Sequence, residues 1–271
     1  MIDASLFRLK VIPHTHSILG YPGGKTKLAP AIIAHLPKGR HRTFVEPFFG
    51  SGAVTFALSD GYAKRFVAND LDDQLIGFWK NLRLEGCKPL ARCVDRNPAT
   101  LENRRKFTQA YRAGTSDVCP YFMARRVSFN SNGKDVNLSS PIQRVGKQAV
   151  RNCAGVQARL SKTSLLSEDF RKVARENDKP GTVQFWDPPY EGRAKGLYKF
   201  EEGTSPREVC DAARGLKHAR VLITHYDKRE VREACAGLSM KTIPYRYVSR
   251  NRNHGKVHKV RELLIANYDL R

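Results

Sequence analysis

The feature that most constrains this chain is an alternation of strand-like and helix-like patterns, which runs in two blocks and breaks off between them. Over 18–84 and again over 163–267, short apolar runs alternate with stretches of helical periodicity. Repeated strand–helix units of this kind build a parallel sheet covered on both faces. In the first block, 25–36 sets Leu28, Ile32, Ile33 and Leu36 on one helical face before Pro37 and Gly39 stop it. Strands are expected at 43–45 and 65–68, and helices at 53–58 and 72–84. In the last block, strands at 183–186 and 221–224 alternate with helices at 206–216 and 228–235. Strands near 245–249 and 263–267 have no helix between them, which predicts an antiparallel addition at one edge. The expected architecture is a doubly wound α/β domain made of 1–84 and 163–271, with 85–162 inserted as a helical and hairpin domain.

Composition narrows the partners. Forty-eight Lys and Arg against 26 Asp and Glu give a net charge of +22, a surface that attracts polyanions, of which nucleic acid is the commonest. The six cysteines, Cys87, Cys93, Cys119, Cys153, Cys210 and Cys235, form no CxxC pair and are irregularly spaced. That spacing argues against a zinc knuckle or a disulfide framework and for free thiols in a reducing cytoplasm. No apolar run reaches the ~18 residues that span a bilayer, and residues 1–10 carry no cleavable leader pattern. The expectation is a cytoplasmic protein with no membrane segment and no obligate protein partner.

Three motifs carry chemistry. A strand runs into Glu46-Pro47-Phe48-Phe49-Gly50-Ser51-Gly52 and then into a helix; glycines there let backbone approach a nucleotide-like ligand closely. About 20 residues on, Asp70 ends the next strand, where such folds place a carboxylate on ribose hydroxyls. Asp187-Pro188-Pro189-Tyr190 follows the strand at 183–186. An exocyclic aromatic amine is a poor nucleophile because its lone pair is delocalised. The Asp187 carboxylate and the Pro188 carbonyl can accept its two N–H bonds and pull the nitrogen towards tetrahedral geometry, while Tyr190 can stack on a base rotated out of a duplex.

At this point the chain resembles the Dam-type DNA adenine methyltransferases, the D12 class, over nearly everything outside the middle segment. Tyr21-Pro22-Gly23-Gly24-Lys25 is similar to the motif that opens the family, and the glycine turn, Asp70 and the 187–190 tetrapeptide match in order. So do 221–227 and the closing segment through Glu262-Leu263-Leu264-Ile265. The resemblance implies a Rossmann-like methyltransferase sheet, S-adenosylmethionine as cofactor and double-stranded DNA as partner. Tyr21, Lys25, Glu46, Pro47, Phe48, Gly50, Gly52, Asp70, Asp169 and Asp187 would surround the cofactor, with Asp169 near its adenine. The family places its target-recognition domain between the cofactor and catalytic motifs. Here that gap holds Arg125, Arg126 and a turn-rich run with Asn130, Asn132 and Lys134. Asn132-Gly133 is a hairpin signal where strands flank it, and arginine and asparagine read base edges in a major groove. Arg250 and Arg252 lie on the basic closing segment, suited to phosphate contact.

Other readings are weaker. Gly24-Lys25-Thr26 looks like the end of a phosphate-binding loop, but position 19 is Leu19 where that motif needs glycine. No cysteine follows a proline, so the covalent cytosine-C5 route lacks its nucleophile. The histidine pairs do not read as metal ligands. Cytosine N4 methylation uses the same amine chemistry, RNA is another possible substrate, and a DNA-binding protein that has lost activity is the alternative from a different class.

Overall fold

The computed structural model describes residues 16–98, 100–190, 204–248 and 257–270. Its centre is a seven-stranded sheet. Five strands are parallel: β1 (His41–Glu46), β2 (Ala63–Asn69), β3 (Thr163–Leu166), β4 (Thr182–Trp186) and β5 (Arg220–Tyr226). Two more, β6 (Ser239–Val248) and β7 (Val257–Ala266), form an antiparallel pair. The order is β3-β2-β1-β4-β5-β7-β6, so β7 enters antiparallel between β5 and β6. The expected edge addition is there, with both strands longer than their sequence signal.

Helices cover both faces, and the pleat explains how. Successive side chains of a strand point to opposite faces. Phe44, Val183, Phe185, Leu222 and Leu264 pack under α1 (Ala29–His35) and α2 (Ala53–Ala57). Their neighbours Trp186, Val221, Ile223, Leu263 and Ile265 face α8 (Phe170–Glu176), α9 (Pro206–Arg214) and α10 (Arg229–Ala234). The helix read at 25–36 begins only at Ala29, because Pro30 fits the first turn of a helix and not its interior. A proline likewise opens α9, whose N-terminus is closed by a reciprocal Ser205–Glu208 capping box.

The middle segment is helical. After α3 (Asp73–Glu85) come α4 (Lys88–Arg96), α5 (Leu101–Arg112), α6 (Val118–Val127) and α7 (Ile142–Leu160). The helical character expected of this segment is there; the charges of α4 and α5 keep their apolar faces from standing out in the sequence. Leu90, Phe107, Tyr121, Phe122 and Val156 form one apolar cluster with Leu75, Phe78 and Trp79 of α3 and with Phe49 and Phe56. The Asn132-Gly133 turn is not a strand hairpin. Ser128 and Val136 make a single antiparallel bridge, and Phe129–Ser131 forms a 3₁₀ turn instead of a strand. Asn132 Oδ1 accepts from the amides of Lys134 and Asp135, so the side chain shapes its own turn.

The cysteines correct the sequence expectation. Cys87 is bonded to Cys153, Cys93 to Cys119 and Cys210 to Cys235, with Cα separations of 5.8, 5.4 and 5.3 Å. Two of these bonds tie α4 to α7 and α6, and the third joins α9 to the end of α10. Spacing along the chain could not reveal them, because the partners are 66, 26 and 25 residues apart and meet only through helix packing. Free thiols therefore no longer support a reducing compartment. Among the described residues, no helix is long and apolar enough to cross a membrane.

Candidate active site

The chain runs outward from β1 through β2 to β3, then returns to β4 on the other side of β1. Strand order reverses at β1 and β4, and open α/β sheets bind ligands outside the carboxyl ends of the strands at such a reversal. A cleft opens there. Tyr21, Lys25, Glu46, Pro47, Phe48, Gly50, Asp70, Asp169 and Asp187 line it, each named from the sequence. Gly52 does not. It caps α2 at φ +65°, and a Cβ there would come within 2.5 Å of Phe56 and 2.6 Å of Phe49. Its glycine is required by packing behind the cleft. Gly50, at φ +47°, faces Tyr21, whose ring would lie 3.0 Å from an added Cβ.

Asp70 is held by the turn it serves. One carboxylate oxygen accepts from the Gly50 amide at 2.8 Å and the other from the Asp72 amide at 3.1 Å. Burial lifts its pKa to about 6, against the pull of those two amides. Glu46 is buried more deeply. It accepts from the Thr55 amide at 3.1 Å and the Thr55 hydroxyl at 2.5 Å, and burial raises its pKa to about 8. Asn69, unforeseen, donates to the carbonyls of Pro47 and Glu168, locking the β1 turn to the loop before α8. Asp169 caps α8 and pairs with Arg171 at 2.6 Å, a bond that holds its pKa below the usual carboxylate range. Phe48 packs on Phe170 at 4.8 Å between ring centres beside it. A cleft with a fixed carboxylate at the turn suits an adenosine-containing cofactor.

At the end of β4 a second cluster forms around Asp187. Its Oδ1 receives Lys25 Nζ at 2.7 Å, the Thr224 hydroxyl at 2.9 Å and meets the Tyr190 hydroxyl at 3.1 Å. Oδ2 has no partner among the described residues. Lys25 also lies 3.5 Å from Glu262, and the Tyr190 hydroxyl is 2.5 Å from that same carboxyl. Lys25 thus belongs to the cluster around Asp187 as much as to the cleft. Pro188 is buried beneath the turn. The base-stacking role expected of Tyr190 does not match its position: the residue is 5% exposed, its ring lies under Lys25 Nζ at 4.7 Å and stacks on His225 at 4.5 Å. What Tyr190 presents is its hydroxyl, turned to two carboxyls. Sequence reasoning assigned Glu262 and Thr224 no role. The available signal was an acid, Glu262, opening the apolar run 263–266 on a strand that would otherwise be core.

The expected DNA contacts divide. Arg125 is 3% exposed. Its guanidinium lies over the rings of Tyr21, Tyr111 and Tyr121, 3.6 Å from Asp72, and donates to the Ser131 carbonyl. This is a structural cation and not a base-reading one. Arg126 is half-buried and donates to the Ile18 carbonyl. Asn132 is engaged in its turn, whereas Asn130 and Lys134 are exposed beside Phe129, which is 53% exposed. Arg250 and Arg252 lie outside the described residues.

A cleft at the strand reversal with the Asp187 carboxylate at its wall is the arrangement expected of a methyltransferase that acts on exocyclic amines. Comparison with known proteins agrees. The family model of the D12 class N6 adenine-specific DNA methyltransferases matches residues 21–252, and the chain belongs to that family. Membership decides for adenine N6 over cytosine N4 and makes S-adenosylmethionine the methyl donor. The chain is 25% identical over 212 residues to the Type II methyltransferase M.MjaIII of Methanocaldococcus jannaschii, covering 69% of this chain and 72% of that one. Similar solved structures include a SAM-dependent methyltransferase of Agrobacterium tumefaciens (TM-score 0.41, 12% identity, 89% of this chain and 61% of that one). Another is the precorrin-6y C5,15-methyltransferase of Geobacter metallireducens (TM-score 0.39, 11% identity, 94% and 99%).

Proposed function

We infer that the chain methylates adenine within a duplex target, with Asp187 as the residue that receives the reacting amine. The observation that carries this is the asymmetry of the Asp187 carboxylate. Lys25, Thr224 and Tyr190 converge on Oδ1, while Oδ2 is left to accept an N–H at the wall of the cleft. The Pro188 carbonyl is the second acceptor. Two acceptors in fixed positions draw the nitrogen lone pair out of the ring and aim it. The cofactor supplies a methyl group activated on a sulfonium. Asp70 holds its ribose hydroxyls, Phe48 and Asp169 flank its adenine, and Tyr21, Glu46 and Pro47 shape the methionine end.

The segment 85–162 is the target-reading part, with Asn130 and Lys134 as its exposed contacts and Phe129 beside them. Arg250 and Arg252 contact phosphates. The relative named above is a Type II methyltransferase, which supports a role beside a restriction enzyme. A DNA substrate and the family support the cytoplasm as the compartment.

The test is methyl transfer from labelled cofactor to unmethylated duplex DNA, with nucleoside analysis of the digest. The wild-type protein should yield deoxy-N6-methyladenosine. Asp187→Ala should lose turnover by roughly a hundredfold or more while still binding cofactor and DNA. Undiminished turnover in that variant would sink the assigned role.

A further inference from the structure

The geometry points to Glu262 as a neutral carboxylic acid that donates to Tyr190 and thereby aims the Tyr190 hydroxyl at Asp187. The inference deepens the reading of Asp187 as the amine acceptor and rests on it. It begins with a proton count. The Tyr190 oxygen lies 2.5 Å from Glu262 Oε1 and 3.1 Å from Asp187 Oδ1. A phenol has one proton and can donate to only one of them. If Tyr190 gives its proton to Asp187, the 2.5 Å contact is closed by a proton on Glu262.

Charge leads to the same place. Lys25 is the cation between two carboxyls. If both were ionised, a buried negative charge would stand uncompensated, which is costly where water is excluded. Among the described residues, the other groups packed against the cluster do not balance it. His225, stacked on Tyr190, is kept neutral by burial, which takes its pKa down to about 4. Tyr226, which pairs with Glu262 across β5 and β7 and meets the Tyr190 ring edge-on, brings no cation to the cluster. Glu46, on the far side of Asp187, is an acid held protonated by burial. Arg261 is next to Glu262 in the strand but is exposed on the opposite face.

The proton belongs to Glu262 and not to Asp187. The Asp187 side chain is 20% exposed, touches the ammonium at 2.7 Å and accepts from Thr224. The Glu262 side chain is 4% exposed and lies 3.5 Å from the same ammonium. Burial also raises the pKa of Glu262. As an acid, Glu262 donates to Tyr190, Tyr190 donates to Asp187, and three donors hold Oδ1 so that Oδ2 faces the substrate amine. When Glu262 ionises it becomes an acceptor, and the Tyr190 hydroxyl turns to donate to it. Asp187 then loses a donor and meets a phenol lone pair instead. Glu262 is a positioning residue that acts through Tyr190.

Two measurements test this. Infrared difference spectra of wild type against Glu262→Gln read the proton directly: a protonated-carboxyl C=O stretch should be present in the wild type and missing from the variant. Its absence from the wild type at neutral pH overturns the inference, whatever the activity. Single-turnover methyl transfer then reads the consequence. Glu262→Gln keeps a donor for Tyr190, so it should retain the wild-type rate and hold it at alkaline pH where the wild type declines. Glu262→Leu removes the donor and should slow the reaction by roughly tenfold or more, as the loss of a buried hydrogen bond implies, with S-adenosylhomocysteine binding unchanged. A Glu262→Gln variant that binds cofactor normally but is as slow as Glu262→Leu would mean that Glu262 works as an anion, and would end the proposal. So would an unchanged rate in Glu262→Leu. If the leucine variant fails to fold, the spectra and the glutamine variant decide. Failure of the Asp187 reading would look different, as turnover surviving Asp187→Ala with the infrared band intact.

Discussion

Glu46 illustrates how a single side chain can cost the fold something and still be kept. Burial raises its pKa from 4.5 to about 8, so the folded protein holds a proton that the unfolded chain releases. Its contribution to stability is complete below pH 4.5 and is lost progressively as pH rises to about 8, at about 1.4 kcal/mol per unit of separation. Glu46→Gln, which mimics the protonated acid, should therefore leave Tm unchanged in acid and raise it increasingly towards pH 8. A thermal-melt series with and without the substitution checks this, and a constant difference across the range would refute it. At the same scale, Asp187, Asp70 and Gly50 were legible in the sequence because each sits in a local strand-end motif. Lys25 as a partner of Asp187 was not, since 162 positions separate them and only the sheet brings them to 2.7 Å. Glu262 and Thr224 escaped notice for the same reason.

Among the elements, α6 departs most from its sequence reading. Consecutive arginines at 125 and 126 in a basic chain suggested base contacts, yet their helix turns Arg125 inward. Tyr21, Tyr111 and Tyr121 surround its guanidinium, and Asp72, the N-cap of α3, balances it. Charge composition cannot tell a buried cation from a solvated one; the information lies in the three tyrosines, which come from separate segments. Arg125→Met leaves Asp72 buried without its cation and should cost about 3–5 kcal/mol in denaturant unfolding. Because Tyr21 and Asp72 line the cleft, cofactor binding should weaken with it. A variant of unchanged stability that lost only DNA affinity would restore the base-reading role. The alternating βα units, with their strong apolar runs, were readable nearly to their ends. β3 and α8, at four and seven residues, were too short to register.

For the whole molecule, three disulfides join helices that the sequence leaves far apart. Each closes a loop and restricts the unfolded chain, worth about 2–4 kcal/mol apiece. Reductant should lower Tm clearly, and replacing Cys87, Cys93, Cys119 and Cys153 with serine should account for more of the loss than replacing Cys210 and Cys235. A melt that does not respond to reductant would mean that these pairs are not bonded in solution. The order of the sheet has a consequence for biosynthesis. β7 leaves the ribosome after β5 and β6, yet its place is between them. Until it arrives, β5 presents an open edge to other chains, and Glu262 is missing from the cluster around Asp187. A stalled or prematurely released chain is therefore sticky and lacks part of its catalytic cluster, so methylation is withheld until translation has passed through β7.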